Sequence, residues 1–213
     1  NIIKTISPSN KVTEYTYDKL DRLIETKHNN VLSEDSSENT GTLSEINSYN
    51  WAGNVVKKEL KFNDLVKSQS EYYYDSRNNL LVSIDKVDGK EAVHSYEYNN
   101  LGQVIAEATP ESFSVLDKTE TVPVKKYSLS NAKSRTKYTY DLIGRLKLKE
   151  FIGKTYKLDA QTGEMVGTDN SFVVKAYKYD ANDNIIKEID GEEYKKSSEK
   201  SSLGKGMGKT MSV

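Results

Sequence analysis

Few side chains in this sequence stand in a spacing that carries chemistry. His28 and His94 are the only histidines, and neither sits at a metal-ligand or catalytic-triad spacing. His94 lies two residues before Tyr96, on the same face of an extended strand, and reads as a packing residue. Asp180-x-Asn182-x-Asn184 imitates the start of a calcium loop, but Ile185 stands where the loop glycine belongs and Gly191 where the closing glutamate belongs. The segment from Leu203 to Thr210 imitates a phosphate-binding loop; its first glycine position is Leu203, and no apolar strand leads into it. Aspartates are plentiful enough for the paired carboxylates of a glycoside hydrolase. At equivalent places, however, they are exchanged for Asn50 and Asn99, which keeps turn chemistry and loses acid chemistry. What remains is tyrosine. Rows of it on a strand face would stack on sugar rings or pack between strands.

The elements that would position these residues follow from composition and repetition. Fifteen tyrosines against four phenylalanines and one tryptophan is a heavy bias toward a strand-forming aromatic. Thirty-one basic residues nearly cancel 32 acidic ones, leaving a net charge of −1. No basic excess is available to neutralise a phosphate backbone, so nucleic acid is not an expected partner. The absence of cysteine removes disulfides, thiolate metal sites and a cysteine nucleophile together. No apolar run approaches the length of a membrane helix, and the residues from Asn1 to Pro8 lack the charged start and apolar stretch of a signal peptide.

The tyrosines mark a repeat. Tyr15-Thr16-Tyr17-Asp18, Tyr72-Tyr73-Tyr74-Asp75, Tyr96-Glu97-Tyr98-Asn99, Tyr138-Thr139-Tyr140-Asp141 and Tyr177-Lys178-Tyr179-Asp180 are each followed by a turn and a second apolar stretch. Worn copies lie at Tyr49-Asn50-Trp51-Ala52-Gly53 and at Tyr156-Lys157-Leu158-Asp159 before Gly163. With reference positions 17, 49, 74, 98, 140, 158 and 179, the unit is a little over twenty residues, with insertions near 27–46 and 106–136. The second insertion has room for another decayed copy near Tyr127. Asn1-Ile2-Ile3-Lys4-Thr5-Ile6 reads like Asn184-Ile185-Ile186-Lys187-Glu188-Ile189, so the chain is expected to start inside a unit, as a piece of a longer array.

Each copy has the chemistry of a hairpin. Two tyrosines at i and i+2 share a strand face. The Asp or Asn that follows opens a type I turn, and the residue three later tolerates a left-handed backbone. Those residues are Asp21, Gly53, Asn78, Gly102, Gly144 and Asp183. A lone hairpin is marginal in water, so the units must stack and share faces.

The pattern resembles the RHS/YD-repeat family, whose hallmark is Y-x-Y-D-x-x-G-R-L. Tyr138, Tyr140, Asp141, Gly144, Arg145 and Leu146 match every position; Tyr15, Tyr17, Asp18, Arg22 and Leu23 match all but the glycine, which is Asp21. Family members include bacterial RHS and wall-associated proteins, Tc toxin components and teneurins. The resemblance implies a β-strip that can close into a hollow shell, often around a C-terminal toxin. The D-P-x-G-L-like junction that ends fuller members is missing, since the three prolines, Pro8, Pro110 and Pro123, stand elsewhere.

The expected fold is therefore all-β: tandem antiparallel hairpin repeats forming an extended twisted sheet or part of a β-spiral shell. Residues 1–191 should form about seven units, and 192–213 a flexible Ser/Gly/Lys-rich tail. The residues expected to define the repeat are Tyr15, Tyr17, Asp18, Tyr74, Asp75, Tyr96, Tyr98, Gly102, Tyr138, Tyr140, Asp141, Gly144, Arg145, Tyr177, Tyr179 and Asp180. No catalytic, cofactor or metal residue is expected. What the resemblance implies is a structural, non-enzymatic segment of a large secreted or wall-associated bacterial protein. Its partners would be the rest of the repeat array and a C-terminal toxin or cargo, with glycan binding by the tyrosine face as the alternative.

Overall fold

The computed structural model describes residues 1–9, 11–33, 36–113 and 120–197. Thirteen strands are hydrogen-bonded in chain order. They are β1 (Lys4–Ile6), β2 (Val12–Tyr17), β3 (Leu23–Ser33), β4 (Ser36–Tyr49), β5 (Val55–Phe62), β6 (Leu65–Tyr74), β7 (Leu80–Val87), β8 (Lys90–Tyr98), β9 (Val104–Ala108), β10 (Arg135–Tyr140), β11 (Leu146–Leu158), β12 (Met165–Tyr179) and β13 (Ile185–Asp190). The all-β, antiparallel hairpin expectation is met. The strands form two compact units, one holding residues 1–95 with 120–127, the other starting at Tyr96 and resuming at Ser128.

Local sequence explains the six turns that carry the repeat. Each Asp or Asn of the motif donates its amide to the carbonyl four residues on, as in Asp18 to Arg22 and Asp141 to Arg145, both 2.9 Å. Each residue three after it donates back, as in Gly144 to Asp141 at 3.0 Å. The left-handed conformation falls at every predicted place: Asp21 (φ 59°), Gly53 (90°), Asn78 (65°), Gly102 (77°), Gly144 (90°) and Asp183 (66°). A bulge then follows in hairpin after hairpin. Tyr17 pairs with Leu23 while Thr16 pairs with Glu25, which leaves Ile24 as the extra residue. Val56, Leu81, Lys147 and Ile186 are extra in the same way. An extra residue bends and twists the strand that carries it, so the bend recurs at a fixed point of the unit.

The residues expected as an insertion near 27–46 lie in the far ends of β3 and β4, which pair with each other from His28↔Leu43 to Leu32↔Thr40. Two places differ from the expectation. The worn copy at Asp159 is a turn that joins β11 to β12, the connection between two units, rather than the two strands of one. Tyr127 is not in a decayed strand. It caps a short helix, Pro123–Lys126, flanked by 3₁₀ turns at Pro110–Phe113 and Leu129–Asn131. Residues 191–197 are helical, and 198–213, which include the imitation phosphate loop, lie outside the described residues.

Cores are small. In the first unit Val82, Ile84, Val93 and Tyr127 are buried; in the second, Ala106, Ala108, Phe113, Leu129, Ala176 and Ile189. The helical segment supplies Tyr127, whose hydroxyl donates to Glu91 Oε2 at 2.8 Å and whose carbonyl accepts Ser95 Oγ at 2.6 Å. That strap covers the β7–β8 face, which would otherwise expose its apolar side.

Candidate functional site: the junction between repeat units

The motif residues converge on the seam where the second strand of one hairpin meets the first strand of the next. Every such seam has one register. The residue two beyond the post-turn apolar position pairs with the residue three before the second motif tyrosine. The pairs are Lys4↔Glu14, Glu25↔Ile46, Lys57↔Glu71, Val82↔Ser95, Ala106↔Lys137 and Leu148↔Ala176. The post-turn carbonyl itself lies past the last paired residue. A backbone carbonyl without a ladder partner needs another donor, and the second tyrosine supplies it. Tyr17 donates to Ile2 O (3.0 Å), Tyr49 to Leu23 O (2.8 Å), Tyr74 to Val55 O (2.9 Å), Tyr140 to Val104 O (2.7 Å) and Tyr179 to Leu146 O (2.8 Å). This explains the preference for tyrosine over phenylalanine: the ring packs and the hydroxyl closes the seam.

A second set of contacts ties the turns together. Asp18 Oδ1 accepts the amides of Leu20 and Arg22, at 2.8 and 3.0 Å, and its Oδ2 accepts Arg22 Nε at 2.7 Å. Asp141 does the same with Ile143 and Arg145, and Asp75 and Asp180 do so with Asn79 and Asn184 as side-chain donors. Where the acid is replaced by Asn99, its Nδ2 becomes a donor and the partner becomes Gln103, whose Oε1 accepts it at 2.8 Å. The exchange is chemically balanced. The amides and side-chain donors hold the carboxyls of Asp18, Asp75 and Asp180 below the usual carboxylate range. At Asp141 desolvation works the other way, but the Arg145 amide and guanidinium outweigh it.

The residue four after the acid also reaches the next turn. Arg22 Nη1 donates to Asn50 O at 3.0 Å, and Arg145 Nη1 donates to Asp180 O at 3.0 Å. Both guanidiniums stack on the next unit's second tyrosine, Arg22 on Tyr49 at 4.7 Å and Arg145 on Tyr179 at 4.6 Å. Asn54 Nδ2 reaches Asn78 Oδ1 at 2.8 Å, and Gln103 Nε2 reaches Gly144 O at 2.7 Å. Asn1 Nδ2 reaches Asp21 Oδ1 at 3.0 Å, so the first residues repeat the geometry of a unit's second half.

Of the residues expected to define the repeat, Tyr17, Asp18, Tyr74, Asp75, Tyr140, Asp141, Gly144, Arg145, Tyr179 and Asp180 lie at these seams and their turns. The first tyrosines pack beside them. Tyr138 donates to Glu107 Oε1, and burial followed by that carboxylate pushes its hydroxyl well above the ordinary range. Tyr15 shares a 3.4 Å contact with Thr5. Tyr96, Tyr98 and Tyr177 are half-buried on β8 and β12, and Gly102 occupies the left-handed turn position. The reading missed Arg22, Asn54 and Gln103 as bridges. The available signal was the matched exchange at positions i and i+4, where Asp faces Arg or Asn and Asn99 faces Gln.

Fold and seam together define an all-β chain of tandem antiparallel hairpin repeats. Solved structures share this fold. The chain superimposes on a chain of the TcdB2-TccC3-TEV crystal structure with a TM-score of 0.53 and 16% identity, covering 89% of this chain and 8% of that one. For TcdB2-TccC3-Cdc42 the values are 0.52, 13%, 84% and 8%. The likeness is one of fold, and the chain spans about 8% of the length of those chains. No protein-family model matches the sequence. No curated protein matches it either.

Proposed function

We propose that the chain is a structural, non-enzymatic segment of a larger secreted or wall-associated bacterial protein, in which YD repeats build a shell that encloses or displays a C-terminal toxin or cargo. The observation that supports this most is the seam. One register, one tyrosine-to-carbonyl bond and one turn-to-turn bridge recur from unit to unit, so units are added to the sheet by one repeated geometry. Chemistry-bearing groups are spent on that task. The motif aspartates accept turn amides, and the second tyrosines donate to backbone carbonyls. A sugar platform would need those hydroxyls turned outward. No helix among the described residues is long and apolar enough to cross a membrane.

The test is protease protection in the full-length protein. Arg22→Ala with Arg145→Ala removes two turn-to-turn bridges while leaving both turns' backbone bonds in place. The C-terminal portion is expected to become protease-sensitive in the double variant and to be resistant in the parent. A C-terminal portion equally sensitive in both would reject the enclosing role.

A further inference from the structure

The sheet face beneath the short helix Pro123–Lys126 is laid out as a grid. Cross-strand pairing aligns Tyr73, Val82 and Ser95, then Glu71, Ile84 and Val93, then Gln69, Lys86 and Glu91. These positions alternate along their strands and so point to one side of the sheet. The apolar and charged rows meet at Lys86, whose ammonium lies 2.9 Å from Glu71 Oε1 and 3.7 Å from Glu91 Oε1. Each carboxylate takes a phenol on its other oxygen. Tyr73 donates to Glu71 Oε2 at 2.7 Å, and Tyr127 donates to Glu91 Oε2 at 2.8 Å. Gln69 Nε2 adds a bond to Glu71 Oε1 at 2.5 Å. One chain of contacts therefore runs from Tyr73 through Glu71, Lys86 and Glu91 to Tyr127, the C-cap of the helix.

We propose that the segment Pro123–Tyr127 is a lid over the apolar β7–β8 face, and that the bridge of Glu71, Lys86 and Glu91 couples its closure to pH. Two bonds fasten Tyr127 to the sheet. Its carbonyl accepts Ser95 Oγ at 2.6 Å, a bond between neutral groups that does not titrate. Its hydroxyl donates to the Glu91 carboxylate, and a bond to an ionised acceptor is roughly twice as strong as a neutral one. The Glu91 side chain is 43% exposed, so protons reach it while the lid is shut. Acid that neutralises the two carboxylates takes the charge out of the Tyr127 bond and removes both ion pairs of Lys86. The lid then opens more often and bares Val82, Ile84 and Val93, which are buried when it is closed, without breaking a strand ladder.

The groups that face the bridge set the direction of the effect. β6 supplies Glu71 and Tyr73, β7 supplies Lys86 and β8 supplies Glu91. The helix supplies Tyr127, with Lys126 Nζ over its ring at 5.1 Å and Lys125 exposed beside it. Lys57 of β5 pairs opposite Glu71 in the sheet, and its ammonium lies 2.9 Å from Glu59. Burial raises the Glu71 carboxyl, but the bonds from Lys86 and Tyr73 outweigh it and hold the group below its ordinary range. Its contribution is thus present above the unfolded-state range and is lost as pH falls through the lower folded value. The bond to Glu71 holds the Lys86 ammonium up, so it stays charged. Burial, and then Glu91, push the Tyr127 hydroxyl well above its ordinary range, so it stays a donor. Within this cluster the carboxylates are the groups that change charge between neutral and acid pH.

The chain has no cysteine, so one introduced thiol can report the lid. Val93→Cys places it under the helix, and Ala106→Cys places it in the core of the second unit as a control. Each is labelled with 4,4′-dithiodipyridine, which reacts in acid. Dividing by the rate at the exposed Leu142→Cys removes the thiol's own pH dependence. A buried thiol then labels in proportion to its open fraction. Between pH 7 and about pH 4 the Val93→Cys ratio should rise about tenfold, while the sheet keeps its circular dichroism and the Ala106→Cys ratio stays level. At pH 7, Glu91→Gln should speed Val93→Cys labelling about fivefold, the difference between an ionised and a neutral acceptor. Lys86→Met leaves two carboxylates facing each other, so its labelling should be fast at pH 7 and slow down as pH falls. A merely structural lysine would not reverse the sign. An unchanged ratio in acid, an equal rise at Ala106→Cys, or the parent's pH dependence in Lys86→Met would overturn the proposal. The parent chain gives an independent check through the amides of Lys126 and Tyr127, which donate to Val122 O and Pro123 O at 2.9 Å each. Their exchange, corrected for its intrinsic pH dependence, should accelerate in acid, and exchange that did not would equally overturn it.

Discussion

Replacing Gly144 by valine tests the turn at the point where backbone and seam meet. Gly144 holds φ +90°, a region that side chains of L residues rarely adopt. Forcing an L residue into the left-handed region costs about 1–2 kcal/mol, and a β-branched one more. The added Cβ would also stand 3.2 Å from Gln103 Nε2, which donates to Gly144 O at 2.7 Å. Losing that bridge adds about 1 kcal/mol. Together the change should cost about 2–4 kcal/mol and lower the melting temperature by roughly 5–12 °C for a chain of this size. The repeat contains its own control. Asp21, Asn78 and Asp183 occupy the same position at φ 59°, 65° and 66°, so Gly144→Asn should cost under about 1 kcal/mol. Thermal melts followed by far-ultraviolet circular dichroism give both values. If Gly144→Val melted with the parent, or if Gly144→Asn were as damaging as valine, the assignment of strain to this position would be wrong.

Other outcomes follow from the same geometry. Tyr140→Phe keeps the ring and loses the donor to Val104 O, and should cost about 0.5–1.5 kcal/mol in a denaturant titration. Tyr140→Ala should cost clearly more, and equality of the two would show that the ring contributes nothing. The carboxyls of Asp18, Asp75, Asp159 and Asp180, and of Glu71 despite its burial, lie below their ordinary range. Their contribution is therefore present above the unfolded-state range and is lost as pH falls below about 4, which an acid series of melts should show as a steady decline. Tyr73 is pushed up to about 12, first by burial and then by its hydrogen bond to Glu71. It should ionise after the exposed tyrosines in a tyrosinate absorbance titration, with stability lost as pH rises above about 10. Glu71→Gln should bring that late step to lower pH; an unmoved step would show that the carboxylate has no part in it.

How far the sequence alone reached is set by the range of the interactions involved. The turns were legible because their chemistry is contained in five residues. The Asp18 carboxylate accepts the amides of Leu20 and Arg22, and the left-handed position falls on Gly, Asn or Asp because few other residues accept it. Strand, turn and strand could thus be read from Tyr15 to Ile24 without knowing any neighbour. The same turn chemistry misled at Asp159, whose carboxylate also caps its own turn through Gln161 and Thr162. Nothing local distinguishes a turn inside a unit from a turn between units. That difference lies in which strands flank it.

The seam was decided only in three dimensions. Tyr74 finds its acceptor 19 residues away and Tyr140 finds one 36 away, because β5–β6 share a tight turn while the strap intervenes between β9 and β10. Spacing along the chain varies; spacing across the sheet does not. Tertiary structure also placed Tyr127 on Glu91 and Ser95, a contact between a helical excursion and a strand that no period in the sequence announces. The amino-acid sequence by itself determined the hairpin, its turn and its bias toward tyrosine, since these follow from backbone sterics and side-chain reach within one unit. Which carbonyl each tyrosine closes, and which turn each Arg22, Asn54, Gln103 or Arg145 bridges, came from the folded sheet, where a fixed register converts unequal loops into one repeated contact.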